Sequence, residues 1–338
     1  GRRNYFGSIS YDYDQKYMLD FTFRNDGSFN FPKGKRYGKF PAVSAGWNIS
    51  QEPFMNKASG WLDNLKLRAS WGKMGNDNVP AYQYLAIYGL SSDYYAFGQM
   101  PTAQQQLEIT QVENPDITCE TSYQTDIGVD LIAWKSLNLT IDVFSEKRRS
   151  ILIKRNASIP AYAALSLPDE NLGKVDNKGI ELSINYKKTT GALTYNVGGQ
   201  FTYNQDKVIF MDEAKDIPEY QKQQGHPIDS WLVYQADGIF RTQSEIDKYP
   251  HLPGTQMGDI KYVDVDGDGK ITGNDQVRKY TSATPRAQFG GSAGASYRNI
   301  SLNVFFLGQA GSQQNVFEAE GIRAIQPFFT KRWTPDNP

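Results

Sequence analysis

Four aspartates stand at spacings that suit a divalent cation. The run Asp264-Val265-Asp266-Gly267-Asp268-Gly269-Lys270-Ile271-Thr272-Gly273-Asn274-Asp275 puts carboxylates at positions 1, 3, 5 and 12 of a twelve-residue loop. Gly269 falls at position 6, where the chain must turn sharply, and Ile271 at position 8 can pack inward. Ca²⁺ takes six to eight oxygens at about 2.3–2.6 Å, which these spacings can supply. Lys270 would offer its backbone carbonyl, and Thr272 would bind directly or through water. Asp275 stands where glutamate is usual, and its shorter arm makes two-oxygen contact harder. The competing reading is an Asp- and Gly-rich turn that needs no metal. The flanks, 258–263 and 276–280, read as extended, so helices on either side are not expected. A Ca²⁺ held here would be structural, stiffening the long segment 205–285.

Other residues that could do chemistry point elsewhere. Gly290-Gly291-Ser292-Ala293-Gly294 fits the G-x-S-x-G pattern of serine nucleophiles, which requires a strand-to-helix elbow. Here it lies inside an alternating strand, where small residues let neighbouring strands approach, so catalysis is not expected. His226 and His251 are the only histidines and Cys119 the only cysteine. That leaves little for His-based catalysis and allows no internal disulfide. A formal net charge of -1 gives no reason to propose nucleic acid. Lys147-Arg148-Arg149 forms a small basic cluster at a strand end, readable as a solvated rim or as a contact for anionic lipopolysaccharide. Tyr94, Tyr95, Phe97 and Trp231 are weak candidates for substrate contact. Aromatic faces stack on sugars, but the same rings also pack within loops or against partners.

The elements that must carry these residues are strands. In 180–187 the apolar set Ile180, Leu182, Ile184, Tyr186 alternates with Glu181, Ser183, Asn185, Lys187. Successive strand side chains point to opposite faces, so such a run has one apolar and one polar face. About ten runs of this kind are expected, at 5–13, 17–24, 40–49, 62–71, 121–133, 137–147, 175–187, 193–204, 286–297 and 300–308. Their connections alternate. Those at 14–16, 134–136, 188–192 and 298–299 are tight, and that at 50–61 is longer but on the same side. Those at 25–39, 72–120, 148–174 and 205–285 are long. Short turns at one end and long loops at the other mark an outer-membrane β-barrel, with lipid outside and water inside. No segment approaches the roughly 18 consecutive apolar residues of a membrane helix. Tyr11, Tyr13, Tyr17, Tyr186, Tyr195 and Tyr297 cluster beside the tight turns, as a girdle at the membrane boundary would require. Ile127, Val129, Leu139, Ile141, Ile184 and Val197 are expected to face lipid, and Asp126, Asp142, Asn185 and Gln200 the lumen. The chain enters a strand pattern at once, with no signal peptide, and reads as an internal piece of something longer.

Several blocks carry a family resemblance. They include Arg3-Asn4-Tyr5-Phe6-Gly7, Phe40-Pro41-Ala42-Val43-Ser44-Ala45-Gly46-Trp47 and Leu65-Lys66-Leu67-Arg68-Ala69-Ser70-Trp71-Gly72. Gly179-Ile180-Glu181-Leu182, Ala236-Asp237-Gly238-Ile239-Phe240, Gly258-Asp259-Ile260-Lys261-Tyr262 and Arg332-Trp333-Thr334-Pro335 follow in the same order. Together they resemble the barrel of SusC-like TonB-dependent outer-membrane transporters over nearly the whole chain. Cys119 departs from the pattern, where the family usually has a large aromatic. The resemblance implies an all-β antiparallel barrel of about 22 strands. Residues 1–338 would supply about ten of them, and segment 205–285 would form a long extracellular loop carrying the cation loop 264–275. It also implies a plug and TonB-contacting segment before this stretch, a SusD-like surface lipoprotein over the loops, and an outer membrane of Bacteroidetes type. The implied function is import of a nutrient, with a glycan as the expected substrate class and oligopeptides as the alternative. No enzymatic activity is expected.

Two readings of other classes compete. A soluble Ca²⁺-dependent β-rich binding module or adhesin would need a second layer over the apolar strand faces. A β-sandwich glycoside hydrolase would need a facing pair of catalytic carboxylates, and none is singled out.

Overall fold

The structure, a computed structural model, describes residues 1–97, 102–155, 168–314 and 333–334. Among the described residues, sixteen strands run in chain order. The first eight are β1 (Arg2–Tyr13), β2 (Tyr17–Ser28), β3 (Tyr37–Asn48), β4 (Leu62–Asn76), β5 (Ile87–Phe97), β6 (Thr102–Gln111), β7 (Glu120–Ala133) and β8 (Leu137–Ile153). The rest are β9 (Glu170–Thr190), β10 (Leu193–Phe210), β11 (Leu232–Tyr234), β12 (Ala236–Ile239), β13 (Ile260–Tyr262), β14 (Gln276–Arg278), β15 (Ala287–Tyr297) and β16 (Ile300–Ala310). The chain divides into two compact units: Gly1–Lys215 with Arg286–Ala310, and Asp216–Pro285 with Gly311–Pro338.

The first unit is built on one ten-stranded sheet in the order β1-β2-β3-β4-β7-β8-β9-β10-β15-β16. Every pairing in it is antiparallel, and each of its strands corresponds to one of the ten expected runs. The tight connections explain the local order. Asp14 and Gln15 (φ 53° and 54°) and Trp134 and Lys135 (φ 51° and 53°) take the same pair of left-handed conformations. That backbone matches the right-handed twist of the strands it joins. The amide of Lys16 then donates to the Tyr13 carbonyl at 3.0 Å, and that of Ser136 to Ala133 at 3.1 Å.

At the other end the strands run further than the alternation indicates. β8 continues to Ile153 rather than 147, β9 begins at Glu170 rather than 175, and β10 ends at Phe210 rather than 204. Past the alternating stretch the pattern breaks, with β8 ending in the unbroken run Ile151-Leu152-Ile153 and β10 in Val208-Ile209-Phe210, so the period-two signal is lost while backbone pairing continues. The segment 72–120 also differs from a plain loop, because β5 and β6 pair as an antiparallel hairpin within it.

Side chains on the sheet separate by face. Ile127, Val143, Ile184 and Val197 are exposed on one face. On the other, Arg68 of β4 reaches Asp126 and Asp130 of β7 and Asp142 of β8. Buried apolar residues of this unit sit at the sheet's ends: Phe31, Phe40, Ile117, Val175 and Val208 at the long-connection end, Leu62 and Ala133 near the tight turns. Mid-strand apolar side chains therefore have no protein core of their own to enter. No helix among the described residues is long and apolar enough to cross a membrane.

The second unit holds two short antiparallel pairs, β11 with β14 and β12 with β13. A single helical turn, Gln243–Ile246, is capped by the Thr242 hydroxyl, which accepts from the Glu245 amide. Phe240, Ile246 and Ile271 are its buried apolar residues among those described. Ile271 thus packs inward, as its place in the twelve-residue loop requires.

Candidate functional site

Two groups of polar residues stand out, one in each unit. The first is centred on Gly128, mid-strand in β7. Register places Arg68 on one side of Gly128 and Asp142 on the other. Because position 128 has no side chain, the guanidinium lies across it. A Cβ there would fall 2.3 Å from Asp142 Oδ1 and 2.5 Å from Arg68 Cζ. Arg68 Nε is 3.1 Å from Asp130 Oδ2, Nη1 is 3.2 Å from Asp126 Oδ1, and Nη2 is 2.5 Å from Asp142 Oδ1. Thr140 also donates to Asp130 Oδ1 at 3.2 Å. One cation on β4 thus joins three carboxylates on the next two strands, a fork geometry that arginine supplies and lysine does not. The surplus negative charge gives this part of the polar face an attraction for cationic groups. Asp126 and Asp142 were expected on this face; Arg68 as their organiser was not. Its polar phase in β4 is visible in the sequence, but which residues stand opposite it is not.

These side chains keep roughly a third of their surface or less, so removal of the arginine acts in a partly screened setting. Arg68→Ala in the full-length protein is expected to destabilise the strands by about 1–2 kcal/mol, because three carboxylates then face one another without a cation. Arg68→Lys should recover only part of this. The temperature at which the folded, heat-modifiable form is lost measures it. Equal midpoints for Arg68→Ala and the native protein would show that the cluster is a solvated decoration.

The second group is the twelve-residue loop of the second unit. Asp264, Asp266 and Asp268 bring their carboxylates together, with one oxygen of each within 4.8 Å of the others. Gly267 and Gly269 (φ +75° and +81°) supply the sharp turn. Their amides donate to Asp264 Oδ1 and Oδ2 at 2.8 and 2.9 Å, and the Lys270 amide donates to Asp268 Oδ1 at 2.8 Å. Asp275 takes a different part from the other three. It is fully buried, with Oδ1 accepting from Val265 N and Oδ2 from Thr272 N, both at 2.7 Å. Burial alone would raise its pKa, but the amide bonds from Thr272, Val265 and Asp266 outweigh it and hold the carboxyl below the usual range. Asp275 therefore closes the loop on itself. Thr272 caps the turn 273–275, its hydroxyl accepting from Asn274 N at 3.1 Å.

The donor set fits a hard divalent cation, which needs clustered oxygens. Each carboxylate oxygen that accepts an amide hydrogen keeps a second lone pair, so the hydrogen bonds preshape the cluster without using it up. Asp264, Asp266 and Asp268 would hold the ion, with Asp275 bracing the loop from within.

The aromatic candidates fare differently. Tyr94, Tyr95 and Phe97 lie on β5, and their side chains are outside the described residues. Trp231 is half-buried and its ring N–H donates to the Gln313 carbonyl at 2.9 Å, so its polar edge is committed within the second unit. Cys119 is half-buried and unpaired by any disulfide.

A wide antiparallel sheet that leaves its apolar face uncovered, turns tightly at one end and extends at the other defines the wall of an outer-membrane barrel. The family model described as "TonB dependent receptor-like, beta-barrel" matches residues 1–312, and the chain belongs to that family. The chain is 30% identical over 327 residues to TonB-dependent receptor P3 of Formosa agariphila, covering 91% of this chain and 32% of the relative. It is 26% identical over 290 residues to TonB-dependent receptor SusC of Bacteroides thetaiotaomicron, covering 81% of this chain and 28% of that one. The fold is also that of the RagAB peptide importer in its "open-open" state, with a TM-score of 0.74 at 21% identity over 92% of this chain and 33% of that chain. The chain thus spans about a third of the length of these relatives. The family comprises outer-membrane receptors and transporters, not enzymes.

Proposed function

We propose that this chain forms part of the wall of an outer-membrane conduit that imports a nutrient, with TonB supplying the work and a SusD-like lipoprotein seated over the long-connection end. The observation that carries this reading is the sheet itself. Its exposed face bears Ile127, Val143 and Val197, and its opposite face bears Arg68 and its three aspartates. A soluble module would have to cover the first set; a lipid bilayer covers it without further protein. We take the cargo to be an oligosaccharide, in keeping with the resemblance to SusC. The oligopeptide alternative is supported by the fold shared with the RagAB peptide importer. The cation loop stiffens the second unit, in this reading, by holding one Ca²⁺.

The experiment is one of sidedness and uptake in cells carrying the full-length protein. Lys248→Cys, in a Cys119→Ser background, should label on intact cells with an impermeant reagent. Gln15→Cys and Asn299→Cys, at tight turns, should label only after the outer membrane is opened. The reverse pattern inverts the topology. Uptake of labelled oligosaccharide that vanishes without TonB supports the cargo assignment, whereas TonB-dependent uptake of oligopeptide alone replaces it.

A further inference from the structure

Strand alternation divides the basic cluster Lys147-Arg148-Arg149. Arg148 turns to the polar face and pairs with Glu120 at 2.5 Å. Lys147 and Arg149 share the other face with Val143, Ile141 and Leu139, which lie nearer the tight turn. Cross-strand register then continues the charge sideways. Lys73 stands opposite Tyr123, Tyr123 opposite Lys147, Lys147 opposite Asp176, and Asp176 opposite Lys207. Lys178, two residues along β9 from Asp176, adds another ammonium on the same face. Protein groups answer part of this charge: Arg149 pairs with Asp176 at 2.6 Å, and Lys73 lies 5.7 Å from the centre of the Tyr123 ring. Lys147, Lys178 and Lys207 are exposed and make no ion pair among the described residues.

The depth of this row is set by the strands. Lys147 is ten residues beyond Leu137 at the tight-turn end of β8. At about 3.4 Å per residue and a tilt near 40°, that is about 26 Å of height. The apolar band of outer-membrane strands is about 25 Å tall. The lysines therefore stand at the far edge of the band, at headgroup level, above Val143 and Ile180. Ammonium groups at such a boundary extend toward water while their stems cover apolar surface. Several side by side repel one another unless a multivalent anion sits between them. A phosphate monoester carries about 1.5 to 2 negative charges and three acceptor oxygens, more than a carboxylate can offer.

We propose that Lys147, Lys178 and Lys207 hold the phosphate of an outer-leaflet lipid headgroup, with Lys73 and Arg149 at its margins. This rests on the membrane reading above, and the test separates the two. Full-length receptor, native and with Lys147→Gln, Lys178→Gln and Lys207→Gln together, is placed in nanodiscs of phosphatidylcholine. The discs contain either diphosphoryl lipid A or its dephosphorylated form, and lipid retained by the protein is counted by native mass spectrometry. Each lysine near an anionic surface contributes about fivefold in affinity. The native protein should therefore retain the phosphorylated lipid at least tenfold better than the triple variant. Lys178→Gln alone, should the triple variant fold poorly, should lose about fivefold. The preference should vanish with the dephosphorylated lipid and persist in millimolar inorganic phosphate. Lys187→Gln with Lys188→Gln, at the tight-turn end, should change nothing. Insertion into discs with equal retention by native and variant proteins, or displacement by free phosphate, overturns the lipid site and leaves the membrane reading standing. Failure of the native protein to insert overturns both.

Discussion

Val197→Arg in the full-length protein is expected to remove most of the folded, heat-modifiable barrel, while Gln200→Arg leaves it nearly intact. Val197 is exposed to 55% on the apolar face, between Tyr186 of β9 and Ala293 of β15. It lies four residues past Leu193 at the tight-turn end of β10. That puts it about 10 Å into the apolar band by the strand rise and tilt. A lipid-facing arginine near mid-membrane costs roughly 2–4 kcal/mol. A change of that size shifts the balance between folded and unfolded chains by one to three powers of ten, so assembly yield is a sensitive readout. Gln200 stands on the opposite face, across from Ser183 and Gly290, where water can solvate a guanidinium. Band shifts with and without heating measure the folded fraction directly. Equal losses for the two variants would mean that both faces see the same medium, and the membrane reading would fail.

The second large effect is expected at the cation loop. Without an ion, Asp264, Asp266 and Asp268 hold their carboxylates within 4.8 Å of one another, and their repulsion is offset only by the loop's own amides. A bound Ca²⁺ at a hundred times its dissociation constant would stabilise the closed loop by about 2.7 kcal/mol. Chelation should therefore speed amide exchange across 258–278 by roughly a hundredfold, with the protection of β7 to β10 unchanged. Asp266→Ala with Asp268→Ala should reproduce this without chelator. Asp275→Ala should do more damage than either, in Ca²⁺ or out of it, because it strips the acceptors from Val265 and Thr272 as well. If exchange over 264–275 is the same with Ca²⁺ and with chelator, the run is a turn held by its own hydrogen bonds.

That distinction shows how far local spacing carries. Asp264, Asp266 and Asp268 lie within five residues of one another, so their clustering follows from the chain's short-range geometry and was readable directly. The role of Asp275 was not. Twelve-residue spacing placed it among the ligands, but spacing did not show that folding buries it and sets its two oxygens against the amides of Val265 and Thr272.

The same division runs through the sheet. Each strand and its two faces follow from alternation, a property of adjacent residues that no distant contact has to confirm. The tight turns likewise depend on two or three residues apiece. Strand ends past the alternating stretches, and the β5–β6 hairpin, lay outside that signal, because backbone pairing there goes on without a sustained alternation to mark it. What only the tertiary structure decided is register. Arg68 meets Asp126, Asp130 and Asp142 across two strand pairings, and Lys73 joins the row that ends at Lys207 across four. One residue of slip in any pairing would carry those side chains to the other face. Which residues stand opposite is set by loop lengths, turn geometry and the summed preference of each strand for its neighbours, and none of these resides in the residues that end up side by side.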